Sequence, residues 1–144
     1  MSSDFNSAGL AEAFRFVATA SGTGTVVNVY LDASSQATQV IVGLYGDNGA
    51  GAPGNLLALG VVTAPVAGTW NAATIPSTLI GVGTTYWIAV LSPSNAGAIA
   101  FRDTGNGQPS VVSALSGATD LPSIWQSGTR YPNSPISAYV TTGP

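Results

Sequence analysis

Apolar and polar positions alternate with a period of two along most of the chain, the pattern of strands buried on one face. Residues 11–20 (AEAFRFVATA) place Phe14, Phe16 and Ala18 on one side, with Arg15 and Val17 on the other. Residues 25–32 (TVVNVYLD) set Val27, Val29 and Leu31 against Asn28, Tyr30 and Asp32, so one face of this strand is expected to be wet. Residues 39–46 (QVIVGLYG) and 84–91 (TTYWIAVL) are apolar on both faces and predict strands covered on both sides, the second of them central. Further strands are predicted over 56–64, 69–75, 98–103 and 135–142. Gly60 interrupts the first of these and predicts a bulge or bend. Residues 76–83 read as a longer connection with room for one helical turn.

The runs are separated by turn clusters such as SGTG, ASSQAT, DNGAGAPGN and SPSNAG, rich in residues that favour tight turns. Residues 104–133 are the least strand-like part. About thirty residues without regular structure are unusual in a compact domain, so a short strand or helical turn is expected near 111–115, and a covering or functional loop around Trp125. Residues 1–10 are mostly small and polar, and read as a leader or exchangeable segment ahead of a single domain over 11–144. About eight strands with turns roughly every 8–12 residues, and no sequence repeat, predict an all-β fold. The expected architecture is a two-sheet antiparallel β-sandwich of jelly-roll or Greek-key type, with a closed barrel as the alternative.

Composition supports this and narrows the function. The chain has 144 residues, 45% of them apolar and only 6% charged, with 18 glycines. Three cations against six acids give a net charge of −3. Nucleic acid and anionic membranes need clustered cations, so neither is an expected partner. No run reaches the roughly 18–20 apolar residues that span a bilayer, so membrane insertion is not expected. The start, MSSDFNSAGL, shows no signal peptide. Cysteine and histidine are absent, which removes disulfides, thiolate metal sites and the commonest general base.

Candidate chemistry is sparse. A glycosidase would have to pair two of Asp4, Glu12, Asp32, Asp47, Asp103 and Asp120 across roughly 5–10 Å, and most of these acids fall in turns or at strand ends. No G-x-S-x-G elbow is present, and Gly105-Asn106-Gly107 lacks the helix and basic residue of a phosphate loop. The expectation is therefore a protein without catalytic residues. Asp47 and Asn48 offer hard oxygen ligands for calcium on a glycine-rich loop. The plainer alternative is that both hydrogen-bond their own turn. Trp125, Arg130 and Tyr131 form the strongest ligand signal, since aromatic faces stack on sugar rings while Arg and Asp bind hydroxyls. Arg102 and Asp103 could add a polar hand at the sandwich edge, or form a local ion pair. Against this, Trp125 could plug an open end of the sandwich. Trp70 and Trp87, lying in strands, are expected in the core.

The pieces AEAFRF, VNVYLD, VGLYGDNGAGAPGNLLA, GTWN, GTTYWIAV, FRD and YPNSPISAYV, spread over residues 11–140, resemble a β-sandwich module of secreted bacterial multidomain proteins. Its relatives are similar to carbohydrate-binding-module and adhesion-type domains. The resemblance implies an extracellular, non-catalytic accessory role and assigns no binding residue. Taken together, the sequence leads to a module that binds carbohydrate or a cell-surface glycan. The alternative is a subunit of a self-assembling surface layer, filament or capsid-like assembly. In that reading, low charge and open strand edges favour homo-oligomers, and residues 11–20 could be an exchanged strand.

Overall fold

The computed structural model describes residues 2–103, 105 and 107–143. Met1, Thr104, Asn106 and Pro144 lie outside the described residues, and with them the first residue of the expected leader, the centre of the Gly-Asn-Gly fragment and the last residue of the expected domain. The described residues form eleven strands and no helix. Five strands make one sheet: β1 (Ser2–Asn6), β3 (Gly22–Leu31), β6 (Thr69–Ile80), β8 (Ile99–Asp103) and β11 (Ala138–Gly143). β3 is its hub. β6 runs along one edge of β3 and β11 along the other, while β8 meets β3 at Leu31–Phe101 and carries β1 beyond it. The second sheet has the order β10 (Ser127–Tyr131), β9 (Ser110–Ser113), β2 (Glu12–Val17), β7 (Thr85–Leu91), β4 (Val40–Asp47), β5 (Pro53–Val62). Every pairing is antiparallel.

The two sheets close over one apolar core built from the inward positions that the alternation marks. Val27, Val29 and Leu31 of β3 meet Phe14 of β2, Val40, Val42 and Leu44 of β4, and Ile88 and Val90 of β7. Phe14 and Phe101 pack edge to face across the sandwich, centroids 5.4 Å apart. At the β5–β6 corner the sheets approach backbone to backbone. A Cβ on Gly60 would lie 2.3 Å from the Thr74 carbonyl oxygen, so close approach requires this glycine. The register at Gly60 is regular, and the β4–β5 irregularities fall opposite Leu44, Tyr45 and Asp47 instead.

A second apolar layer lies on the outer face of the six-stranded sheet. Ala11, Ala13, Ile41, Tyr45, Trp87, Ala89, Leu91 and Val111 are covered there by Leu121 and Trp125. This explains the two-sided apolar pattern of β4 and β7. The covering segment is stitched down by backbone hydrogen bonds: Ala118 N–H to Gly9 O (2.9 Å), Leu56 N–H to Ser123 O (2.9 Å) and Trp125 N–H to Gly54 O (3.0 Å). The Tyr45 hydroxyl donates to Pro122 O at 2.5 Å, and burial raises its pKa. Gly43 leaves room for this lid, since a Cβ there would come within 2.5 Å of Leu121 Cδ1.

Several expectations change. Ser2–Asn6, within the stretch expected as a leader or exchangeable segment, forms an edge strand on β8. β2 is paired by β7 on one edge and by β9 on the other, so exchange of residues 11–20 would dismantle the middle of a sheet. β6 runs through 76–80 as strand, leaving no helical turn there. The weak region supplies β9 near 111–115 and also β10.

Candidate binding face

The outer faces of the two sheets differ. One lies partly under the 114–126 segment, while the other presents side chains of β3, β6, β8 and β11 to solvent. Because Val29 and Leu31 face the core, Asn28, Tyr30 and Asp32 face outward. By the same parity Ala73 and Ile75 of β6 point inward and Trp70 outward, directly opposite Tyr30 in the register. On β11, Tyr139 lies opposite Asn28. On β8, buried Phe101 opposes Leu31, which puts the next residue, Arg102, alongside Tyr30.

These positions converge into an exposed aromatic cluster. The Tyr30 and Trp70 rings are 5.7 Å apart at 80°, and those of Trp70 and Tyr139 are 5.2 Å apart at 66°. β6 and β11 are two strands apart, about 9.5 Å, so the Trp70 and Tyr139 rings lean toward each other above β3. Trp70 is 47% exposed. The Tyr30 hydroxyl donates to Gly68 O (3.1 Å), and Asn28 Nδ2 donates to Thr141 Oγ1 (2.8 Å). With neighbouring rings inclined at 80° and 66°, the cluster forms a notch with aromatic walls and not a flat platform.

The notch has a polar border. Arg102 Nε donates to Asp32 Oδ1 at 3.1 Å, and the guanidinium lies over the Tyr30 ring, 5.2 Å from its centroid. Asp32 Oδ2 accepts from Ser34 N–H (3.0 Å) and Ser34 Oγ (2.5 Å). The Ser34 hydrogen bonds, with Arg102 adding to them, lower the Asp32 pKa to about 2.

The residues marked from sequence are dispersed. Arg102 borders the notch. Asp103, next along the strand, faces the sandwich interior, so the two cannot form a local ion pair; Ser134 Oγ donates to Asp103 at 3.0 Å. Arg130 and Tyr131 sit exposed on edge strand β10 of the other sheet. Trp125 is 5% exposed and packs edge to face on Tyr45, centroids 5.1 Å apart. Its ring is part of the lid and offers no open face for stacking. Trp125 therefore covers a sheet, where the alternative reading had it plugging an end.

Asp47 Oδ1 accepts from Trp87 Nε1 (2.9 Å), and Asp47 Oδ2 accepts from Gly49 N–H (2.9 Å). Asn48 Oδ1 accepts from the N–H groups of Ala50 (2.7 Å) and Ala52 (3.2 Å). The oxygens expected to ligate calcium are thus engaged in shaping the loop and holding the buried Trp87.

Among the acids, Glu12 is 3% exposed and faces the interior. It accepts from Asn6 Nδ2 (3.1 Å) and Ser110 Oγ (2.6 Å). Burial raises its pKa, and Asp4 and Asp103 nearby add to the effect.

Trp70 and its partners were missed because a tryptophan in a strand defaults to the core. The signal was present in TWNAATI: if Ala73 and Ile75 face inward, parity turns Trp70 outward. Its meeting with Tyr30 and Tyr139 depends on long-range register, which the local pattern does not carry.

No protein-family model matches the chain, and no curated protein matches it in sequence. Among solved structures, the chain is similar to a CocE/NonD family hydrolase from Staphylococcus aureus, with 11% identity and a TM-score of 0.36. The match covers 99% of this chain and 31% of that protein, so the chain spans about a third of its length.

Proposed function

We propose that this protein is a non-catalytic carbohydrate-binding module that acts outside the cell and takes its ligand on the exposed face of the five-stranded sheet. One observation carries the reading: three aromatic side chains from three strands, Tyr30, Trp70 and Tyr139, meet in solvent on that face. Contiguous exposed aromatic surface is costly to keep wet and marks binding sites, and inclined aromatic walls suit the C–H faces of sugar rings. Affinity electrophoresis against a panel of soluble polysaccharides tests it. Trp70→Ala is expected to weaken binding by about 1–3 kcal/mol, the value of covering a large side chain, without lowering thermal stability comparably. Binding that ignores this substitution removes the face from the site.

A second reading, self-assembly by strand addition, rests on a different feature. β11 ends its sheet, and β2 is paired with β9 only as far as Phe14. Between β11 and the end of β2 lies a groove of about 190 Å³, lined by Phe16, Ala18, Ile80, Ala138 and Val140 among others. Open edges beside apolar grooves accept strands. Light scattering across a concentration series decides: growth of the particle supports assembly, and a constant monomer mass eliminates it.

A further inference from the structure

We infer that the ligand of the aromatic notch carries a carboxylate, as in the hexuronic acid units of an acidic polysaccharide, and that Arg102 selects it. This rests on the carbohydrate-binding reading above and adds the chemical class of the sugar.

The argument starts from how Arg102 is held. Its Nε donates to Asp32, and its Cζ lies over the Tyr30 ring, 5.2 Å from the centroid. Two anchors on one side of the guanidinium leave its far edge, Nη1 and Nη2, without a partner among the described residues. That edge presents the parallel N–H pair that matches a carboxylate in bidentate fashion. Holding the fork in advance reduces the ordering cost on binding.

Asp32 does not compete for the ligand. Both its oxygens already accept hydrogen bonds, from Arg102 and from Ser34. Its side chain is 13% exposed against 43% for Arg102. Asp32 is therefore a positioning residue that turns the cation outward. The chain has three arginines and no lysine, and the other two lie elsewhere. Arg15 of β2 bonds Gln108 and Thr85, and Arg130 is on β10 of the other sheet. In a protein of net charge −3, a single cation fixed at an aromatic notch points to a single anionic group placed beside a stacked ring.

The test compares polygalacturonate and alginate with their methyl esters, which keep the rings and remove the charge, using affinity electrophoresis of the full chain. The expected result is at least tenfold tighter binding of an acidic polymer than of its ester, with the preference shrinking as salt is raised. Arg102→Gln should abolish the preference while leaving ester binding in place. Arg102→Lys, which keeps the charge without the fork, should restore only part of it. Asp32→Asn should reduce the preference although Arg102 is intact, which a merely structural role for Asp32 would not do. Circular dichroism confirms that each variant is folded. Equal binding of acid and ester, both lost in Trp70→Ala, overturns the carboxylate inference and leaves the carbohydrate site standing. An acid preference that survives Arg102→Gln overturns it as well. Failure to bind any acidic, esterified or neutral polysaccharide overturns both.

Discussion

Glu12 shows how one residue can set the response of the fold to pH. Its carboxyl lies between the sheets, held by Asn6 of β1 and Ser110 of β9 and facing Asp4 and Asp103 from the five-stranded sheet. Burial raises the Glu12 pKa above its ordinary 4.5, and burial with the Asp4 charge raises that of Asp103 above 3.8, although Ser134 opposes it. A raised carboxyl pKa means the folded state holds the proton more tightly than the unfolded chain. Its contribution to stability is thus fully present below the ordinary value and is lost as pH rises through the folded pKa. Asp32 has the opposite sign. Its stabilisation is present above 3.8 and is lost as pH falls toward about 2. Stability should therefore peak on the acid side of neutrality. Glu12→Gln should raise stability at neutral pH and flatten the decline above the ordinary glutamate value, because the Ser110 hydroxyl can reverse and accept from the amide. Urea midpoints across a pH series check this. An unchanged slope in the variant would show that Glu12 does not control it.

At the scale of elements, the local pattern revealed the strands that alternate strongly and hid those that do not. β2 and β3 were legible because Phe14, Val27, Val29 and Leu31 mark an inward face by parity, and β4 and β7 because apolar residues on both faces mark strands covered on both sides. β1 and β10 were not legible: SSDFN and SGTRY are short, polar and exposed, and become strands only because β8 and β9 offer them an edge. From sequence, the loop around Trp125 is expected to be covering or functional. The structure shows that it covers, and its clearest signal was the two-sided apolar pattern of the strands beneath. Of the marked site residues only Arg102 borders the proposed notch, since the site is assembled by register between strands far apart in sequence. The lid carries its own prediction. Trp125→Ala removes a large buried side chain and should cost about 3–5 kcal/mol, read from denaturant midpoints. Polysaccharide binding by the folded variant should be unchanged, because the notch is on the opposite sheet. A loss of binding without a loss of stability would return Trp125 to the ligand site.

At the scale of the molecule, the sandwich has a central core and two unlike exteriors. β3 organises one sheet, and its outward residues carry the notch; β7 is central in the other, and part of its outer face lies under the lid. Most pairings join segments distant in sequence, so folding should fall in the millisecond-to-second range typical of such topologies. The tryptophans divide among these layers. Trp87 is fully buried and hydrogen-bonded to Asp47, Trp125 is buried with its indole N–H unpartnered among the described residues, and Trp70 is in water. The protein thus contains its own set of optical reporters. Acrylamide should quench the long-wavelength emission of Trp70 first, and a sugar seated in the notch should shield it. Loosening of the lid would instead red-shift the short-wavelength emission of Trp87 and Trp125, so one emission spectrum can separate occupancy of one face from opening of the other.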